Sequence, residues 1–379
     1  MAERFSLPFP RLVFRPFITL GFGFGTELES LVTPKKAIYD ELEKHGFNHG
    51  LQPGGSGVEY DRMIEANGKA LIKTLAALLL AAGIRTSLDD VTFEAWNIKL
   101  EPVLRLYHPR RCQIFNWEWH NTIERIYDVL NLYFEMWWTS GCSQHVHPQP
   151  GPDPGLPQAP SRGWTVYQAR SLLRAIAVFD DAITKIMPED RKENTWARSS
   201  FHDIKLEQAI RADKARANKP GALASHATPQ STLPVEARNL VRLFGEVTTK
   251  SWDHLFNWSD GLKLTQSICI GTGSDRFLSW NFMPLMDPRG TIEFRRPPGA
   301  MTAESAQKWV IFAVAFASAS FEDKWKDTWR HKKDHATVSE LQEFIKTGLM
   351  RLGGEWEGVL DPMEIFVEVT SEAAPLESS

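Results

Sequence analysis

Hydrophobic and polar positions along the chain follow two periods, and the switches between them mark out the elements. "PFITLGFGFGTELES" (16–30) places Ile18, Leu20, Phe22 and Phe24 on alternate positions, which predicts a strand. The pattern then turns helical in "TPKKAIYDELEKHG", with Thr33 as candidate N-cap, Pro34 at the first helical position and Gly46 as the stop. A glycine-rich turn, "LQPGGSG", leads into a long helix from Glu59 to Ala82. In "TFEAWNIKLEPVL" alternation returns, with Trp96, Ile98 and Leu100 on one face and Asn97, Lys99 and Glu101 on the other. Residues 119–138 predict an amphipathic helix, and "TSGCSQHVHPQP" predicts a short strand that proline stops.

Further on, "PQPGPDPGLPQAPSRG" (148–163) reads as a flexible insert, and the Ala/Ser/Thr/Pro-rich stretch 215–234 as a mobile loop. Helices are expected over 165–187, 235–250 and 303–320, with strands and turns over 264–296. This gives one main domain over 16–330 and a helical C-terminal extension over 331–379 that ends in a disordered tail. No repeat and no regular β-α-β spacing is present, so the fold class is α+β with an antiparallel sheet rather than a doubly wound one.

Composition narrows the functional classes. The 379 residues are 42% hydrophobic, with 14 Trp and 22 Phe, enough for a large core. A net charge of −4 gives no general attraction to nucleic acid or an anionic membrane. The longest apolar run, Thr74 to Ile84, has 11 residues, short of the roughly 20 that span a bilayer. Arginines and prolines occupy the N-terminus where a signal peptide would carry its apolar core. Cys112, Cys142 and Cys269 form no paired spacing, which suits a reducing compartment, and a cytoplasmic protein is expected.

Candidate chemistry comes from the two-residue period. Residues i and i+2 of a strand share a face, so Glu27 with Glu29, His145 with His147, and Glu293 with Arg295 each form a one-sided pair. A lone Glu-x-Glu is commonly a solvated sheet face and "TIEFRR" alone an ordinary half-exposed strand, whereas two histidines on one strand face are rarely mere surface. Three such pairs on adjoining strands would gather carboxylates, imidazoles and guanidinium. Two carboxylates held about 6–7 Å apart along a strand repel without a cation between them. Oxygen ligands with one or two imidazoles suit Mg²⁺ or Mn²⁺. Nearby Arg191, Arg276, Arg295 and Arg296 suit phosphate or carboxylate. No convincing Ser/His/Asp or Cys/His nucleophile set is evident, and "GFGFG" fits no phosphate-binding fingerprint.

"FGTELE", "GCSQHVH", "EDRKENTWARS" and "DRFLSWNFMPLMDPRGTIEFRRPPGAMTAESAQKWVIF" together resemble the amidoligases of fungi and bacteria, within the glutamine synthetase and glutamate–cysteine ligase superfamily. The resemblance covers about Phe24 to Phe321. It implies a curved antiparallel sheet whose polar face binds ATP and Mg²⁺ (or Mn²⁺), where a carboxylate is activated as an acyl phosphate and attacked by an amine. The substrates would be small-molecule or peptide carboxylates and amines, with no nucleic acid or membrane partner and an unspecified oligomeric state. By the matching motifs Glu27, Glu29, His145, Glu293 and Glu101 would ligate metal. His147, Arg191, Arg276 and Arg295 would bind the nucleotide, with Asn281 in a matching segment, and Glu29, Glu293 and Arg295 would be catalytic. The second strand is shorter than the family pattern, with Lys99 in acid territory and Glu101-Pro102 standing for the family's glutamate. Two alternatives remain open: a zinc-dependent hydrolase using His145 and His147, and a catalytically impaired member that acts as a binding protein.

Overall fold

The computed structural model describes residues 22–48, 56–87, 96–100, 104–113, 118–151, 164–192, 194–195, 197–199, 278–285, 290–332 and 334–353. Eight strands form one sheet: β1 (Phe22–Pro34), β2 (Thr86–Ser87), β3 (Trp96–Leu100), β4 (Leu104–Gln113), β5 (Phe134–Trp137), β6 (Gln144–Pro150), β7 (Trp280–Asn281) and β8 (Glu293–Phe294). Their order is β2-β3-β4-β1-β6-β8-β7, with β5 also on β1. Every pairing is antiparallel except β2 with β3. The architecture is α+β, a bent antiparallel sheet packed against helices.

Alternation fixes which face is core. Phe22, Phe24 and Leu28 of β1, Val146 of β6, Trp280 of β7 and Phe294 of β8 are all buried in one apolar cluster. Helices α3 (Glu118–Tyr133), α4 (Val166–Ile186) and α6 (Ala303–Ser320) supply a large share of that cluster. Phe294 stacks on Phe312 of α6 at 5.7 Å and lies 4.5 Å from the Trp280 ring. A one-residue slip of β8 would replace this phenylalanine with Glu293, so aromatic burial of roughly 1.5–3 kcal/mol sets the register. The same choice sends Glu293 to the opposite face.

Helix α6 is buried all round, as its continuous apolar and small-residue sequence requires. Helix α8 (Val338–Leu352) packs against it, preceded by a capping box between Thr337 and Glu340. A second capping box, Thr165 with Gln168, opens α4 where the sequence places a helix start. The short helices α1 (Tyr39–Lys44), α5 (Glu189–Lys192) and α7 (Asp323–Arg330) and the long α2 (Val58–Ala81) complete the set among the described residues. No helix among these residues is long and apolar enough to cross a membrane.

Three sequence expectations are corrected by strand pairing. Thr33 and Pro34 do not begin a helix, because Leu31–Pro34 pair with β5 and carry β1 on to Pro34. A 3-10 turn at Lys36–Ile38 follows, and α1 starts only at Tyr39. The helix expected to reach residue 138 stops at Tyr133, since the next four residues form β5. Nor does Pro148 end its strand, for β6 runs to Pro150. Glu29 N–H donates to Ser143 O, so odd-numbered positions of β6 carry the ladder to β1, and the prolines fall at the intervening ones. The expected loop 215–234 and helix 235–250 lie outside the described residues, as does most of the insert 148–163.

A candidate metal centre on the polar face

Glu27 of β1 and His145 of β6 are direct cross-strand partners, and Val146 is paired with Phe294, so the polar residues of β1, β6 and β8 share one face. His145 Nδ1 lies 3.0 Å from Glu27 Oε2 and 3.0 Å from Glu293 Oε1. One ligand atom from each of Glu27, His145 and Glu293 falls within 4.8 Å of the others, and all three residues are buried. Donors about 2.1 Å from an ion stand about 3.0–3.4 Å from their neighbours in octahedral or tetrahedral geometry, so this trio fits one divalent cation.

Surrounding groups hold the trio in place. His147 Nε2 lies 3.2 Å from Glu27 Oε1 and 3.9 Å from Glu293 Oε1, while its Nδ1 meets Thr291 Oγ1 at 3.3 Å. Asn281 of β7, paired in register with Glu293, donates to Glu293 Oε2 at 2.7 Å. Arg295 Nη1 donates to Glu293 Oε1 at 2.6 Å.

Burial alone would raise the Glu27 carboxyl, but hydrogen bonds from His145 and His147 outweigh it and hold the group well below its ordinary range. Glu293 is likewise pushed down against its burial, first by Arg295 and then by His145. Burial and Arg295 would strip His145 of its proton, yet Glu293 and Glu27 together hold its imidazole above the ordinary value. The centre therefore attracts positive charge.

The remaining predicted residues fall into three places. Glu29 stands outside the converging trio, its Oε2 accepting from the Ser143 hydroxyl at 2.6 Å and the Ser143 N–H at 3.1 Å. Arg191, buried in the wall behind, donates to the carbonyls of Arg295, Arg296, Ser140 and Cys142. Glu101 and Arg276 lie outside the described residues. Lys99 is paired in register with Arg105, which in turn is opposite Glu29.

Two neighbours were not singled out from sequence. Ser143 sits two residues before His145 and Thr291 two before Glu293, so the two-residue step that linked the histidines reaches both. No family model matches the chain, and no curated protein matches it either.

Proposed function

We propose that this protein is a divalent-metal-dependent enzyme whose ion is held by Glu27, His145 and Glu293. The observation that carries the reading is the convergence of two carboxylates on one imidazole nitrogen in a buried place. Three protein ligands leave coordination positions for water and substrate, as a catalytic rather than a structural site requires. His147 stands at the edge as a further donor or, through its contact with Glu27, as an acid–base group.

On this donor set alone, metal-assisted hydrolysis is the best-supported chemistry. If His147 joins His145 and one glutamate on the ion, the set becomes two histidines and a glutamate, a familiar catalytic zinc environment, and zinc brings bound water to a pKa of about 7. The second carboxylate would serve to orient that water or take its proton.

Arg295 favours a second reading. Its side chain is part-exposed beside the centre while held by Glu293, where a guanidinium would neutralise a phosphoryl group in transfer. With the resemblance to amidoligases, this supports an ATP- and Mg²⁺-dependent carboxylate–amine ligase acting through an acyl phosphate on a glutamine synthetase-like sheet.

Metal analysis of the purified protein, paired with an assay for ADP and phosphate release with amino acids and polyamines, separates the two. Stoichiometric zinc that survives dialysis, without nucleotide binding, supports hydrolysis. Magnesium-dependent ATP binding and ADP release support the ligase. A wild-type chain that binds no divalent ion defeats both.

A further inference from the structure

Ser143 links Glu29 to His145. Its Oγ lies 2.6 Å from Glu29 Oε2 and 2.8 Å from His145 Nε2, and its own N–H donates to the same Glu29 oxygen. All three residues are buried.

Proton counting orders this chain. A hydroxyl has one proton to give, and a carboxylate only accepts. The short contact with Glu29 takes the Ser143 proton, so Oγ meets Nε2 as an acceptor and Nε2 must carry hydrogen. A neutral His145 then has its lone pair on Nδ1, facing Glu27 Oε2 and Glu293 Oε1. A lone pair against two carboxylates is repulsive unless a cation lies between them.

We propose that Ser143 and Glu29 are positioning residues that fix His145 as the Nε2–H tautomer and so present Nδ1 to a divalent ion; this rests on the metal-centre reading above. Carboxylate-to-histidine chains of this kind orient metal ligands and raise their basicity. Here a hydroxyl is interposed: Glu29 sits on β1 two residues beyond Glu27, and Ser143 Oγ touches both its carboxylate and the imidazole.

The same distances bring to mind a nucleophilic serine, with Ser143, His145 and Glu27 as a triad. That role needs the hydroxyl proton to pass to Nε2. Glu29 takes the proton instead, which leaves Ser143 as a relay rather than an attacking group.

Histidine side-chain ¹⁵N NMR of the full-length protein loaded with Zn²⁺ tests which ring nitrogen of His145 keeps its hydrogen; Zn²⁺ titration of the same variants tests the consequence for affinity. Wild type is expected to show hydrogen on Nε2 of His145. Ser143→Thr keeps the hydroxyl and should keep both tautomer and affinity. Ser143→Ala should lose the tautomer bias and weaken Zn²⁺ binding by about 10–100-fold.

Unchanged tautomer and affinity in Ser143→Ala would overturn the relay while leaving the metal centre standing. Absence of Zn²⁺ binding by wild type would instead overturn the metal-centre reading itself. If Ser143→Ala does not fold, the wild-type spectrum decides, since hydrogen on Nδ1 is incompatible with the relay.

Discussion

Glu27 and His145 face each other directly across β1 and β6, and Glu27 Oε2 stands 3.0 Å from His145 Nδ1. The pairing makes Glu27 the hinge of the centre, because its second oxygen also meets His147 at 3.2 Å. Glu27→Gln keeps the size of the side chain but removes its charge and one acceptor. Affinity for Zn²⁺ or Mn²⁺ is expected to fall by more than the roughly 10–100-fold typical of groups behind the ligands. Metal titration, with circular dichroism as a folding control, checks this; undiminished affinity would exclude Glu27 as a ligand.

Much of this centre was legible because strands have an exact period. Spacing put Glu27, His145 and Glu293 each on the face of its own strand opposite Phe24, Val146 and Phe294, while the adjacency of β1, β6 and β8 that joins those faces comes from the pairing. The position of Glu29 was not legible. Between β5 and β6 the chain leaves the edge of β1 over 138–143, and the serine that returns it meets Glu29. Alternation within one strand says nothing about an excursion in its neighbour. Thr33-Pro34 misled for a related reason, because local capping grammar lost to a tertiary strand pairing.

The pH dependence of stability follows from the same contacts. Glu27 and Glu293 have folded pKa values below their unfolded ones, so their contribution is present above the ordinary glutamate range. It is lost as pH falls through the folded values. His145 is shifted upward, so its contribution is complete below its unfolded value near 6.5. It is lost as pH rises through the folded value.

Metal-free protein should therefore lose stability at both ends, the alkaline loss coming from deprotonation of His145 between two carboxylates. A bound divalent ion replaces that proton and should remove the alkaline loss. Denaturant unfolding from about pH 3 to about pH 9, with chelator and with Zn²⁺, follows both limbs and measures the difference on the alkaline one. Identical profiles would contradict an ion at this site.

Gly348 of α8 tests the packing that supports the sheet. A methyl on its Cα would sit 1.9 Å from the Ala315 carbonyl oxygen of α6. Alanine would gain up to about 1 kcal/mol of helix propensity. The overlap is with main chain rather than a movable side chain, so α8 must shift. Gly348→Ala is expected to destabilise by about 1–3 kcal/mol despite the propensity gain. Equal or higher stability in urea unfolding would mean the two helices separate at little cost.

Arg191 distinguishes a cofactor-binding arginine from one that holds the wall of the centre. Its guanidinium donates to Arg295 O at 2.9 Å, Arg296 O at 3.1 Å, Ser140 O at 3.2 Å and Cys142 O at 3.5 Å. These acceptors belong to two segments, one following β8 and the other leading into β6 through Ser143. Burial lowers the Arg191 pKa to about 10, so its charge persists at neutral pH. Arg191→Lys would retain a cation but replace a planar fork with one ammonium of three donors, which cannot span both segments. Ser140 O keeps its hydrogen bond from Asn194 Nδ2, and loss of the Arg191 donor to the other carbonyls should cost about 1–3 kcal/mol. Ser143 should loosen with them, weakening metal binding in parallel. An Arg191 that served only a nucleotide would behave differently: the lysine variant would keep its stability and lose nucleotide affinity alone. Unfolding and metal titration on the same variant separate these outcomes, because only the wall role couples the two measurements.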